Sequence, residues 1–350
     1  MNQTLHKELK SAIEQSLHKS HIPGAAVAIR VNDAPLFETG VGYQDLNHTQ
    51  PLPTDASFYI YSVTKSLLAT ASLYLVNKGI LNLDDSIQLH LPDFSLDPSI
   101  TLRHLLSHTS GLPDYGGMST YYNAVKATPT AAWSEETFLN LINQGLHFPA
   151  GTSWQYSNIG YLVVKFILKQ VTGLSMQQLL SQVIFNPLSL QKTFVPNTLD
   201  DVTVLTPGYT EFFGGTELQN MTSLYHPGWV SHGVVVSTAP ELAKMIEALF
   251  LDKIINAALI EQMLYPAHVL KKYPLFEKLA CGLGLFIDLE SPYGTVAGHS
   301  GEGPGYSVAA FHFPHLVGSR ITIAAITNQD RHDYALVLVY KLVETLKKFL

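Results

Sequence analysis

The chain has 350 residues, 14% of them charged and 46% hydrophobic, with a formal net charge of −7. That length and apolar share support one large domain or two intimately packed ones and exclude a disordered chain. The acidic balance, with no Lys or Arg run longer than a pair such as Lys271-Lys272, excludes a nucleic-acid-binding surface; the lone Cys281 excludes an internal disulfide and a cysteine-cluster metal site.

Leu5, Leu9, Ile13 and Leu17 recur every four residues and predict an amphipathic helix that ends in Ser20–Gly24. Ala25–Val31 and Pro35–Gly40, joined by Asn32-Asp33-Ala34, read as a strand hairpin. From Ser66 to Asn77 the pattern is apolar nearly all round, which places a helix at the centre, closed by Gly79. Helical patterns follow at 138–144, 159–172, 175–183 and 239–251, among loops rich in Pro, Gly and Ser.

Strand signals resume at Leu283–Ile287, Gly294–Gly298, Tyr306–Phe313 and Arg320–Thr327, with gaps too short for parallel crossovers. Tyr334–Leu350 closes the chain as an amphipathic helix. The fold class expected is an α+β sandwich, with an antiparallel sheet from N- and C-terminal strands flanked by helices. Residues 1–66 and 280–350 form its sheet domain, 67–279 a mainly helical region, and the active site lies between them.

No apolar stretch reaches the roughly 18 residues of a membrane span. The segment Met1–Glu8 lacks the apolar core of a secretory signal. A cytoplasmic location is expected if Met1 is the native start, and a periplasmic or secreted one if a signal was removed.

Chemistry concentrates at three places. Ser62 stands at the mouth of the buried helix with Lys65 three residues on, on the same face. A serine hydroxyl needs a neighbouring base, and a desolvated lysine can serve. The same Ser-x-x-Lys spacing at Ser16–Lys19 and Ser189–Lys192 begins no buried helix. A loop then delivers Tyr156 and Asn158 to the start of another apolar helix, and Gly298-His299-Ser300-Gly301-Glu302-Gly303 follows a strand signal, with glycines that permit close backbone approach. Taken singly, Lys65 reads as a surface lysine, and Tyr156 and Asn158 as turn residues.

Together, Ser62-x-x-Lys65, Tyr156-x-Asn158 and His299-x-Gly301 resemble, in order, the three motifs of the serine β-lactamase and penicillin-binding-protein superfamily. The branch is that of class C β-lactamases, D-alanyl-D-alanine carboxypeptidases, D-aminopeptidases and esterases. Pro23–Ala28, Leu105–Pro113 and Gly233–Thr238 resemble further signatures of it. The resemblance implies a β-lactamase/transpeptidase-like fold and a serine hydrolase that forms an acyl-enzyme on Ser62. In it Lys65 and Tyr156 share the proton transfers, either being the base, and the backbone N–H groups of Ser62 and Glu302 form the oxyanion hole. Asn158, His299, Ser300 and Gly301 bind substrate.

His299 departs from the Lys-Thr-Gly of true class C β-lactamases and is similar to the peptidase and esterase relatives. The function expected is cleavage of an amide or ester, a D-amino-acid peptide or ester, with β-lactams a further candidate. A true class C-type β-lactamase and a non-catalytic penicillin-binding-like or scaffold protein stand as alternatives. The partner is a small-molecule or short peptide substrate; no cofactor and no metal are expected, and the oligomeric state is left open. His108, His226, His232 and His312 read as loop or sheet histidines. Of four arginines, Arg30, Arg103, Arg320 and Arg331, Arg320 is placed on a strand near the site. Trp154, Tyr115, Tyr121, Tyr122 and Tyr306 are candidates for lining an acyl pocket.

Overall fold

Side-chain alternation along the terminal strands sets the layers. In β1 (Gly24–Val31), Ala25, Val27 and Ile29 join one core cluster, and Ala26 and Ala28 the other. β11 (Tyr306–Leu316) and β12 (Ser319–Thr327) alternate likewise, Phe311 and Ile323 to the first cluster, Ala310 and Ala324 to the second. The computed structural model describes residues 3–141, 145–214, 217–270 and 272–349. These strands lie in an eight-stranded antiparallel sheet of order β2-β1-β12-β11-β10-β9-β8-β7, where β2 is Ala34–Gly42, β7 His268–Val269, β8 Leu279–Cys281, β9 Phe286–Asp288 and β10 Val296–Gly303. Two short pairs, β3 (Phe58–Tyr59) with β6 (Val236–Ser237) and β4 (Tyr209–Thr210) with β5 (Gln219–Asn220), stand apart from it.

The first and last helices, α1 (Gln3–Ser20) and α10 (Tyr334–Phe349), cover the face of Val27 and Phe311 with Leu9, Ile13, Val339 and Leu342. The other helices are α2 (Thr64–Asn77), α3 (Leu102–Leu106), α4 (Ser119–Ala127), α5 (Glu135–Leu139), α6 (Asn158–Thr172), α7 (Met176–Leu180), α8 (Ala239–Leu249) and α9 (Ala257–Leu264). Of these, α8 packs on the opposite face of the sheet, against β1 and β12, where alanines let it approach closely. Among the described residues no single helix is long and apolar enough to cross a membrane.

A buried ion pair ties α8 to the sheet. Arg30 Nε on β1 donates to Glu247 Oε2 at 2.5 Å, and Glu247 Oε1 accepts from Asp33 N–H at 3.2 Å. Removing one partner leaves the other charge buried without compensation. Glu247→Ala is therefore expected to cost about 3–5 kcal/mol, read as a fall in the urea midpoint, whereas loss of the exposed Lys278–Glu290 pair should change it by less than about 1 kcal/mol.

The expected hairpin, central helix and terminal helices are all present, and several boundaries are corrected. Leu283–Ile287 is not one strand: Gly284, with φ +70°, turns the chain between β8 and β9. The strand expected at Gly294–Gly298 starts at Val296 and runs on to Gly303, so the His299 triplet sits within a strand. The pattern at 175–183 is α-helical only from Met176 to Leu180 and widens into a π turn at Ser181–Phe185. Of 138–144, Leu139 ends α5, and 142–144 lie outside the described residues, as do Lys271 and Leu350.

Candidate active site

The nucleophile candidate is presented by a short strand and a strained turn. β3 pairs with β6, and Ile60 N–H donates to Val235 O at 2.9 Å. Tyr61 then takes φ +43°, a left-handed conformation costly for a side chain of its size. Its hydroxyl donates to Pro304 O at 2.5 Å, and its ring packs so closely on Gly303 that a Cβ there would stand 2.5 Å away. Ser62 follows in the 3₁₀ turn Tyr61–Val63, partly exposed, and α2 begins at Thr64. Strand β10 lies directly against this turn: a Cβ at Gly301 would be 2.7 Å from Ile60 O and 2.8 Å from Ser62 N. Glycine at 301 is what permits that approach.

Lys65 is fully buried in the first turn of α2. Its Nζ lies 3.1 Å from Ser62 Oγ, 2.8 Å from Asn158 Oδ1 and 3.2 Å from His232 Nε2. Burial pulls the ammonium down to about 7, against the opposing pull of the Asp114 carboxylate. Asn158 is the first residue of α6, whose N-cap Ser157 accepts from Gly160 N–H. Its amide is oriented by Asp114 Oδ1, which accepts from Asn158 N–H at 2.9 Å and Nδ2–H at 3.0 Å, so Asn158 Oδ1 faces Lys65.

Tyr156 closes the other side. Burial drives its phenol far above the ordinary range, and a hydrogen bond with the Ser62 side chain opposes this only in part. His108 stacks on the Tyr156 ring at 4.2 Å and accepts from Ser157 N–H at Nδ1. His299 is buried on β10, with its ring 4.7 Å from Phe286. Burial first, and then Lys65, pulls its imidazole down to about 3, and Nδ1 donates to Ser300 O at 2.5 Å. It is a neutral ring with its proton on Nδ1. Ser300 is partly exposed beside it, and the Glu302 carboxylate turns outward to His332 at 3.1 Å.

Ser62, Lys65, Tyr156 and Asn158 are thus brought together, with Gly301 against the Ser62 turn and His299 beside Tyr156 at a ring distance of 6.4 Å. Three neighbours were not among the candidates: Asp114, His108 and His232. His108 lies inside the Leu105–Pro113 segment and Asp114 directly follows it, and His232 directly precedes Gly233–Thr238, so adjacency to these segments is the available signal; by themselves His108 and His232 read as ordinary loop histidines. Arg320 is corrected: it lies at the far end of β12, nearly half exposed and 3.5 Å from Asp33. Arg30, Arg103 and Arg331 are held by Glu247, Asp84 and Ser20 O. Tyr115, Tyr121 and Tyr306 are buried in the core, their hydroxyls bonded to Ser231 N, Trp229 O and Thr206 O. A cavity of about 330 Å³ lined by Leu68, Phe138, Leu168, Met176 and Ser231 lies off this cleft and includes none of the named catalytic candidates.

The Beta-lactamase family model matches residues 9–344. The chain is 28% identical over 342 residues to Penicillin-binding protein 4* of Bacillus subtilis (strain 168), covering 94% of this chain and 73% of that protein. In fold it is similar to a D-amino acid amidase from Ochrobactrum anthropi SV3 complexed with L-phenylalanine amide, at TM-score 0.84 and 22% identity over 99% of each chain. It is likewise similar to a D-stereospecific amidohydrolase from Streptomyces sp., at TM-score 0.80 and 23% identity over 97% of each chain.

Proposed function

Because the chain belongs to the beta-lactamase family, we propose that it is a serine hydrolase that forms an acyl-enzyme on Ser62 and cleaves D-amino-acid amides, peptides or esters. The observation that carries this reading is Lys65, a buried amine with its pKa near 7, 3.1 Å from Ser62 Oγ. A base poised at neutrality is suited to take the serine proton. Tyr156 is not: its phenolate is inaccessible near neutral pH, so Lys65 acts as base and Tyr156 as a protonated donor.

Ser62 Oγ attacks the carbonyl carbon as its proton passes to Lys65 Nζ, and the backbone N–H groups of Ser62 and Glu302 receive the oxyanion. Collapse breaks the amide or ester bond, and the proton held by Lys65 goes to the departing amine or alkoxide, with Tyr156 as the neighbouring hydroxyl. Water then attacks the acyl group by the same route in reverse. Asn158, Ser300 and Gly301 flank the acyl group in the cleft between the sheet part, 1–66 and 280–350, and the mainly helical part, 67–279. Asn158 spends one lone pair on Lys65 and one N–H on Asp114, which leaves one of each for substrate.

With His299 neutral and all four arginines engaged elsewhere, neither His299 nor an arginine supplies a cation for a substrate carboxylate. This favours uncharged or amino-terminated substrates over a true class C-type β-lactamase. The names of two structural relatives, an amidase and an amidohydrolase specific for D-configured substrates, support the same class.

The test is hydrolysis of D- and L-phenylalanine amide and of a p-nitrophenyl ester, together with the intact mass of the protein during incubation with a penicillin whose free concentration is followed. Faster cleavage of the D-amide, with a persistent penicillin adduct, is the expected result. Consumption of penicillin without an adduct would favour the β-lactamase reading. Absence of every reaction would leave the non-catalytic one.

A further inference from the structure

His232 is 1% exposed and sits just before the segment Gly233–Thr238, which pairs with β3. The chain that holds the Ser62 turn in place therefore also carries an imidazole to the Lys65 amine. We propose that His232 is a positioning residue for Lys65: protonated on Nδ1, it accepts one amine N–H at Nε2 and so turns the Lys65 lone pair onto the Ser62 hydroxyl. This rests on the acyl-enzyme reading above and deepens it.

The argument is one of valence. A lysine ammonium carries three donors, and three acceptors surround Lys65 Nζ: Ser62 Oγ at 3.1 Å, Asn158 Oδ1 at 2.8 Å and His232 Nε2 at 3.2 Å. Asn158 is fixed as an acceptor because its Nδ2 donates to Asp114. The free amine has two N–H groups and one lone pair. When Asn158 and His232 accept the two N–H groups, the lone pair is left for the Ser62 proton.

Were the His232 proton on Nε2 instead, it would donate to that lone pair and Ser62 would lose its base. The ammonium form of Lys65 selects against this arrangement, since all three of its hydrogens need acceptors. No protein group among the described residues partners His232 Nδ1, so none offers a route for moving that proton. The ionisable side chains facing the pair are His108 and Asp114 from the segment after α3, Tyr156, Tyr161 and Lys165 on or before α6, and His299 on β10. Burial first, then Lys65, Lys165, His108 and His299, keeps His232 uncharged.

Two measurements test this. Long-range ¹H–¹⁵N correlation spectra of the ¹⁵N-histidine protein, with His232 assigned by its loss in His232→Gln, should show the Nδ1–H tautomer at neutral pH; an Nε2–H tautomer or an imidazolium overturns the proposal. The burst rate of acylation by p-nitrophenyl acetate is then followed against pH in wild type, His232→Leu and His232→Gln. Leucine removes the acceptor, so the burst should fall about tenfold or more. The midpoint of its acid limb should move about one pH unit toward acid, because an ammonium with fewer acceptors loses its proton more easily. Glutamine, whose amide oxygen can accept the same N–H, should recover most of the loss.

An unchanged rate in His232→Leu, or equal losses in both variants with the midpoint unmoved, would mean that His232 only fills space. A burst that persists in Ser62→Ala would instead defeat the acyl-enzyme reading, and this proposal with it.

Discussion

Ser62→Ala should reduce turnover of a D-amino-acid amide by about 10⁴-fold or more and abolish the penicillin adduct, with little change in stability. Removing the hydroxyl removes the atom that forms the covalent bond. Lys65 is placed against Ser62 Oγ, Asn158 and His232, and Tyr156 is raised far from its ionised form. The fold should tolerate the change, because Ser62 is partly exposed in a 3₁₀ turn whose geometry is set by the β3–β6 pair and by Gly301. A shift of the urea midpoint worth more than about 1 kcal/mol would show that the variant tests folding as well as chemistry. Retention of both turnover and adduct at wild-type levels would remove Ser62 from the mechanism.

How much of this site the sequence disclosed follows from how each part is built. Ser62 and Lys65 are one helical turn apart, so their meeting is a local fact, and the apolar run behind them announces a buried helix. Tyr156 and Asn158 stand at a helix start, where Ser157 supplies a recognisable cap. The approach of Gly301 to Ser62 is already a matter of tertiary packing, visible only through the motif that carries it.

His232 and Asp114 lie beyond that reach. Each comes from an irregular segment with neither the 3.6 nor the 2.0 period, and each meets Lys65 or Asn158 only after segments more than 40 residues apart have folded together. Arg320 failed for a related reason: the strand was foreseen, but which end of it faces the site depends on register. Thr327 pairs with Ser307, opposite Glu302, and Arg320 is at the other end. The break at Gly284 was hidden because Leu283, Leu285, Phe286 and Ile287 are apolar in turn and strand alike.

Lys65→Met should lower acylation by about 10³-fold while making the protein comparatively more stable at pH 7 than at pH 10. The sign follows from linkage. Lys65 falls from an ordinary 10.5 to about 7 in the native state because burial disfavours its charge. Between those values the unfolded chain holds a proton that the native state lacks, so the Lys65 contribution to wild-type stability rises with pH from about 7 to about 10.5 and is flat below 7. The full difference is on the order of 5 kcal/mol at about 1.4 kcal/mol per pH unit.

Methionine has no such titration. It also leaves Asn158 Oδ1 and His232 Nε2 without their donor, at about 1–3 kcal/mol each, so its net effect at pH 7 is a balance of the two. The pH dependence is free of that balance. Urea midpoints measured from pH 7 to pH 10 should show the wild type gaining steadily on the variant; a constant gap would mean that Lys65 keeps its proton throughout and is no base. The same titration requires wild-type acylation to rise through about pH 7 as the amine is freed, so the pH at which the wild type begins to gain on the variant should coincide with the midpoint of the rate curve.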